Sequence, residues 1–272
     1  MGLFDKIIIV SDIDGTFIDR RGEIPPRNLT SLDYFKKNGG RFTIATGREH
    51  FLVYPSVPQI DSICNYPAIV CNGAYLYDFP AHKASDETFL EDETLVPLIR
   101  RIADACPEAA FRVDARGCLF VERVHEIIQW VKDLYPDRVI LTRLEDIPRG
   151  CWHKVAFDGP PKVIDQCEAM LSVLDERFVH IRSGADIVEI QAARATKGSM
   201  ISRLKQSVGD DVTIWAIGDY ENDYALLTAA DRCAVPENGL EKLKRIPGAV
   251  CVCDCDDGAI ADLIDRIEEG IK

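Results

Sequence analysis

Residues 6–11, 42–45 and 213–217 are short apolar runs, and each stops abruptly at a segment dense in Asp, Gly or Thr. Runs of this length are too short for helices, and the Ile and Val of the first favour a strand buried on both faces. Helical patterns are read between and after such runs, near residues 27–37, 198–206, 222–229 and 258–269. Strand–helix alternation of this kind predicts an α/β fold, a doubly wound parallel-sheet (Rossmann-like) core. In such a sheet the carboxyl ends of the strands line one crevice. The segments at the ends of the runs are therefore expected to meet, although they come from opposite ends of the chain.

The middle of the chain has a different pattern. Residues 111–113 and 118–121 flank the tight turn Ala115-Arg116-Gly117, a hairpin signal. Helical stretches near 126–134 and 162–174 alternate with extended ones near 139–142, 152–157 and 178–182. Hairpins mixed with helices suggest a separate α+β layer. The expected organisation is a first core part over residues 1–84, an inserted α+β cap domain over 85–185, and a second core part over 186–272.

Charge and composition exclude several classes. A net charge of −13 argues against nucleic acid or an anionic membrane as partner. No apolar run approaches the roughly 18 residues of a membrane span, and the N-terminus carries no secretory pattern. Ten scattered cysteines are too sparse for a disulfide scaffold, so a reducing, cytoplasmic setting is expected. Oligomeric state leaves no mark in the sequence.

Four segments carry the chemistry: Asp12-Ile13-Asp14-Gly15-Thr16, Thr46-Gly47-Arg48, Lys197-Gly198 and Gly218-Asp219-Tyr220-Glu221-Asn222-Asp223. Asp12 and Asp14 stand two apart at a strand end, where an extended backbone puts both side chains on one side. One carboxylate can attack phosphorus while the other exchanges a proton with the leaving oxygen and then with water. Asp219 and Asp223 with Asp12 concentrate negative charge that is costly without a cation, and hard oxygen donors suit Mg²⁺. Thr46 and Gly47 can present a hydroxyl and backbone N–H groups to a phosphate oxygen. Lys197, opening a helix, supplies a compact positive charge. A capped helix or an Asx turn accounts for any one segment alone.

Taken in order, the four segments resemble the motifs of the haloacid dehalogenase superfamily. Within it, the chain looks like the Cof-like phosphatases that carry a large α/β cap between the second and third motifs, and Asn72-Gly73-Ala74 looks like their Asn-Gly turn. The resemblance implies that Asp12 is the nucleophile and Asp14 the general acid/base. It implies Mg²⁺ held by Asp12, the Asp14 main-chain carbonyl and Asp219, with Asp223 in support. It further implies that Thr46, Gly47 and Lys197 bind the phosphoryl group and that Asn222 helps hold substrate or Lys197. Phe17 and the turn Pro236-Glu237-Asn238-Gly239 depart from the family's usual residues.

The expected activity is Mg²⁺-dependent hydrolysis of small phosphorylated metabolites, such as sugar phosphates, through an aspartyl-phosphate. A phosphomutase or phosphotransferase using the same nucleophile is an alternative, as is a non-catalytic switch module that accepts and holds a phosphoryl group. The inserted domain is expected to close over the core and read the leaving group. Candidate polar readers are Arg112, Asp114, Arg123, His125, His153, Lys154, His180 and Arg182, with Arg112 and Arg123 best suited to a sugar phosphate or second phosphate.

Overall fold

The structure, a computed structural model, describes residues 2–209 and 211–271. The chain divides into two compact units, one formed by Met1–Asp86 with Thr196–Lys272 and the other by Glu87–Ala195.

The first unit is built on a five-stranded parallel sheet. Its order is Val250–Val252, Arg232–Pro236, Thr213–Ile217, Ile7–Ser11, Arg41–Ile44. Ala68–Val70 continues it through a parallel bridge between Ala45 and Ile69, then pairs antiparallel with Tyr75–Asp78. The central strand Ile7–Ser11 is buried at every residue, as a strand covered on both faces must be. Ile8 and Val10 pack with Met200, Ile201 and Leu204 of the helix Lys197–Val208. Ile7 and Ile9 point the other way by strand alternation. Elsewhere in the unit the helix Pro26–Lys37 packs along Ala259–Ile271, where buried Asn28 accepts from the Ala261 N–H at 3.0 Å.

Strand order and register position the chemistry. After Ile7–Ser11 the chain builds outward on one side through Arg41–Ile44, and later returns to the other side as Thr213–Ile217. The sheet therefore has its topological switch point at Ile7–Ser11, where ligands of open α/β sheets bind. Ser11 pairs with Ile217 and with Ile44, so three strands end level. The next residues stay in register: Asp12 N–H donates to Ile217 O at 2.9 Å, Ala45 N–H to Ser11 O at 2.8 Å, and Thr46 N–H to Ile69 O at 2.8 Å.

The second unit is a six-stranded sheet in the order Phe178–Gly184, Ile187–Ala192, Trp152–Asp158, Ala110–Ala115, Cys118–Val121, Val139–Leu141. All neighbours are antiparallel except the last pair. Helices Asp92–Ala105, Glu126–Leu134 and Pro161–Met170 belong to it. The unit ends at Ala195 rather than 185 because Ile187–Ala192 pairs with both Phe178–Gly184 and Trp152–Asp158. Among the described residues no helix is long and apolar enough to cross a membrane.

Candidate active site

Asp12 leaves the central strand with its side chain 11% exposed. The chain then turns sharply: Thr16, Phe17 and Ile18 all return their N–H groups to Ile13 O. Gly15 makes the turn with φ +73°, and a Cβ there would stand 2.7 Å from Asp219 Oδ2. An L side chain is thus disfavoured twice, by backbone strain and by contact. The same turn brings the Thr16 hydroxyl to donate to Asp219 Oδ1 at 2.8 Å. The first and last motifs are joined directly.

Lys197 is the hub. It is the first residue of its helix, whose Thr196–Ser199 capping box fixes the entry angle. Its side chain, 1% exposed, donates from Nζ to Asp12 Oδ1 at 2.6 Å and to Asp223 Oδ1 at 2.7 Å. Asp223 Oδ2 accepts from the backbone N–H groups of Asp219 and Tyr220, both at 3.1 Å. Both Asp223 oxygens are therefore committed, one to the ammonium and one to shaping the loop that presents Asp219. Asn222 lies half-buried in the same short helical turn, Glu221–Asp223.

Thr46, 2% exposed, comes just after the second strand, and its Oγ1 accepts from the Arg48 N–H at 3.2 Å. Gly47 is small for a reason, since a Cβ there would meet Asn72 Oδ1 at 2.9 Å. Asn72 in turn sends its N–H to Thr46 O at 2.9 Å with a left-handed φ of +55°. The next residue, Gly73, lies against the Thr196 carbonyl. The Asn-Gly turn thus holds the second and third motifs side by side.

Asp12, Asp219 and Asp223 each place a carboxylate oxygen within 4.8 Å of the other two. Three carboxylates against one ammonium leave a formal charge of −2 at the cluster (−3 + 1). The crowding of charge shifts the pKa values of its members. Burial, then the Asp223 charge, raises Asp12 well above the usual carboxylate range, although Lys197 opposes this. Burial pushes Asp219 up to about 6 despite the Thr16 hydrogen bond. Burial alone would depress Lys197, but Asp12 and Asp223 outweigh it and hold the ammonium above its ordinary range. A divalent cation matches the excess charge, and an all-oxygen donor set suits a hard one.

Asp14 stands apart from the buried cluster. Its side chain is 60% exposed and meets Arg48, whose Nη2 donates to Oδ1 at 2.5 Å and Nε to Oδ2 at 3.2 Å. The sequence pattern gives Arg48 no role beyond its place in the Thr46-Gly47-Arg48 segment. Nor does it single out Asn238, which donates to Gly15 O at 2.7 Å and accepts from the Cys255 N–H at 2.9 Å, clamping the Asp12–Thr16 loop. Neither contact has a local signature, because each spans a long stretch of chain. The one available signal is the Asn in the Pro236–Gly239 turn, where the chain departs from the family's usual residues.

Several polar residues of the second unit are otherwise engaged. Arg112 donates to Asp158 at 2.9 and 3.1 Å and to Asp114 at 3.3 Å, all three residues being buried. Lys154 pairs with Glu189 at 2.6 Å and with Asp114 at 3.4 Å. Arg123 donates to Ala109 O at 2.5 Å, and Arg182 pairs with Glu168 and Asp165 at 3.0 and 3.1 Å. His153 lies 3.1 Å from Glu87, His180 3.8 Å from Glu168, and His125 3.9 Å from Asp158. Arg112 is one of the two residues expected to suit a second phosphate best. Its charge is already matched by carboxylates two and forty-six residues away, a pairing that only the sheet register reveals.

The parallel sheet, with its acidic cluster and lysine at the switch point, has the arrangement that the resemblance to the haloacid dehalogenase superfamily implies. The family model for haloacid dehalogenase-like hydrolases matches residues 9–264, and the chain belongs to that family. It is similar to the pyridoxal phosphate phosphatase YbhA of Escherichia coli, with 32% identity over 82% of this chain and 85% of that one. In fold it is similar to a haloacid dehalogenase-like hydrolase from Bacteroides thetaiotaomicron, with a TM-score of 0.81 at 22% identity, covering 96% and 98% of the two chains. Two other relatives are matched over less than half their own length. They are a putative phosphatase of Mycoplasma pneumoniae (32% of its length) and the chloroplastic endoribonuclease YBEY of Arabidopsis thaliana (46%).

Proposed function

We propose that the protein is a Mg²⁺-dependent phosphatase that hydrolyses small phosphorylated metabolites, sugar phosphates or similar monoesters, through an aspartyl-phosphate on Asp12. The observation that carries this reading is Lys197 Nζ bridging Asp12 and Asp223 in a buried cluster that also holds Asp219. The carboxylates of Asp12 and Asp219, with the Asp14 main-chain carbonyl, would hold the metal. Bound there, Mg²⁺ would offset the excess negative charge and that of the phosphoryl oxygens.

In the first step an Asp12 oxygen attacks phosphorus, the bond from phosphorus to the ester oxygen breaks, and Asp14 gives its proton to the departing oxygen. In the second, a water oxygen attacks the same phosphorus and gives a proton to the Asp14 carboxylate. Inorganic phosphate leaves and the Asp12 carboxylate is restored. Lys197, fixed between two carboxylates, lies beside the charge that spreads over the phosphoryl oxygens in a loose transition state. Thr46 and the Gly47 backbone complete the phosphate cradle, and Asn222 supports substrate or Lys197.

The relation to a pyridoxal phosphate phosphatase supports a small phosphorylated substrate. The test is an aryl phosphate incubated with Mg²⁺ and with EDTA. Metal-dependent multiple turnover, lost in Asp12→Asn, is expected. A single stoichiometric burst, or undiminished turnover by folded Asp12→Asn, contradicts the proposal.

A further inference from the structure

Asp14 has to be aimed, because a proton donor or acceptor works only within hydrogen-bond reach of its target. Yet its side chain is 60% exposed, beside a glycine of positive φ. Among the described residues, Arg48 is the one side chain that hydrogen-bonds its carboxylate. Arg48 is itself firmly seated. Its Nη1 donates to Ser56 Oγ at 2.8 Å and to Leu52 O at 3.3 Å. Its N–H donates to Thr46 Oγ1, and its carbonyl accepts from the Cys71 N–H at 2.9 Å. One edge of the guanidinium thus grips the carboxylate while the remaining nitrogen is moored to the loop behind it. This planar, two-sided use is open to arginine and closed to lysine.

We infer that Arg48 is a positioning residue that sets the side-chain rotamer of Asp14 for proton exchange with the ester oxygen. The bidentate contact takes one lone pair from each carboxylate oxygen and leaves the others to serve the leaving group. Arg48 also ties the two motifs together, since the residue that orients Asp14 organises the Thr46 hydroxyl through its own N–H. The inference rests on the phosphatase reading above and assigns a role to a residue that reading does not use.

The test compares leaving groups. Protonation matters for an alkyl phosphate and little for p-nitrophenyl phosphate, whose phenolate leaves unaided. The ratio kcat/KM reports only events up to cleavage of the ester bond. Arg48→Ala and Arg48→Gln are expected to lower kcat/KM about 10²-fold for a hexose phosphate, the scale of one general acid. For p-nitrophenyl phosphate the expected loss is within about fivefold. Arg48→Lys should behave like the alanine variant, and added guanidinium should partly restore Arg48→Ala on the hexose phosphate alone. An equal loss on both substrates, as from a residue that grips the phosphoryl group or merely supports the loop, overturns the inference. So does full activity on the hexose phosphate. Wild-type protein that turns over neither substrate overturns the phosphatase reading and this inference with it, whereas active wild type with an unchanged leaving-group dependence in the variants overturns the role of Arg48 alone.

Discussion

Replacing Lys197 by Met would leave three carboxylates within 4.8 Å of one another with no cation among them. Lys197 now stands 2.6 Å from Asp12 and 2.7 Å from Asp223, with all three side chains largely withdrawn from water. Removing one partner of a buried ion pair costs about 3–5 kcal/mol, because the remaining charge stays buried without compensation. At about 2–4 °C per kcal/mol for a domain of this size, the metal-free variant should melt roughly 6–20 °C below wild type at pH 7.5. The pH dependence has a definite sign. The folded-state pKa of Asp12 lies above its unfolded value, and removing the lysine, which opposes that shift, lifts it further. A group raised in this way contributes stability at low pH that is lost as pH climbs through the folded value. The deficit of the variant should therefore be smaller at pH 5 than at pH 7.5. Differential scanning calorimetry in EDTA at both pH values reads it. A melting point within about 2 °C of wild type at pH 7.5, or a deficit independent of pH, would refute the reasoning.

The same geometry sets three further outcomes. Gly15→Ala must hold a left-handed φ, at about 1–2 kcal/mol, and push Asp219 aside, so divalent-cation affinity measured by titration calorimetry should fall at least about tenfold. Because Asp219 is held up to about 6 and ligands must lose protons to bind metal, the gain in melting temperature with Mg²⁺ should be small at pH 5 and full by pH 7.5; a gain independent of pH speaks against Asp219 as a ligand. Arg112→Met should cost the Glu87–Ala195 unit about 3–5 kcal/mol in urea unfolding, and pairing it with Asp158→Leu should recover part of that loss.

How much of the molecule is legible in its sequence depends on where the information lies. Residues 6–11 and 213–217 read as strands because apolar runs of that length are too short for helices of their own, and the segments at their carboxyl ends, flanking a switch point, have to meet. Ile187–Ala192 escapes the sequence reading although Val188, Ile190 and Ala192 alternate with Glu189 and Gln191 as the residues of a strand do. The structure shows why they are there: Glu189 takes the Lys154 ammonium across the sheet. The helix Asp92–Ala105 escapes it too, although Leu95, Ile99 and Ile102 recur at helical spacing and are buried. Pro97, which reads as a breaker, lies inside the helix, where it forgoes the bond to the Glu93 carbonyl without ending the helix. Arg48 and Asn238 are out of reach for another reason. Their partners lie thirty-four and more than two hundred residues away, and no periodicity reports such contacts.

The account stands on Asp12 and Asp219 gathering one divalent ion beside Lys197. Crystals grown at pH 7.5 and soaked in Mn²⁺ test this directly through the anomalous signal of the metal. The account predicts one peak within about 2.0–2.3 Å of a carboxylate oxygen from each of Asp12 and Asp219. No peak there, or an ion bound only elsewhere, would contradict it.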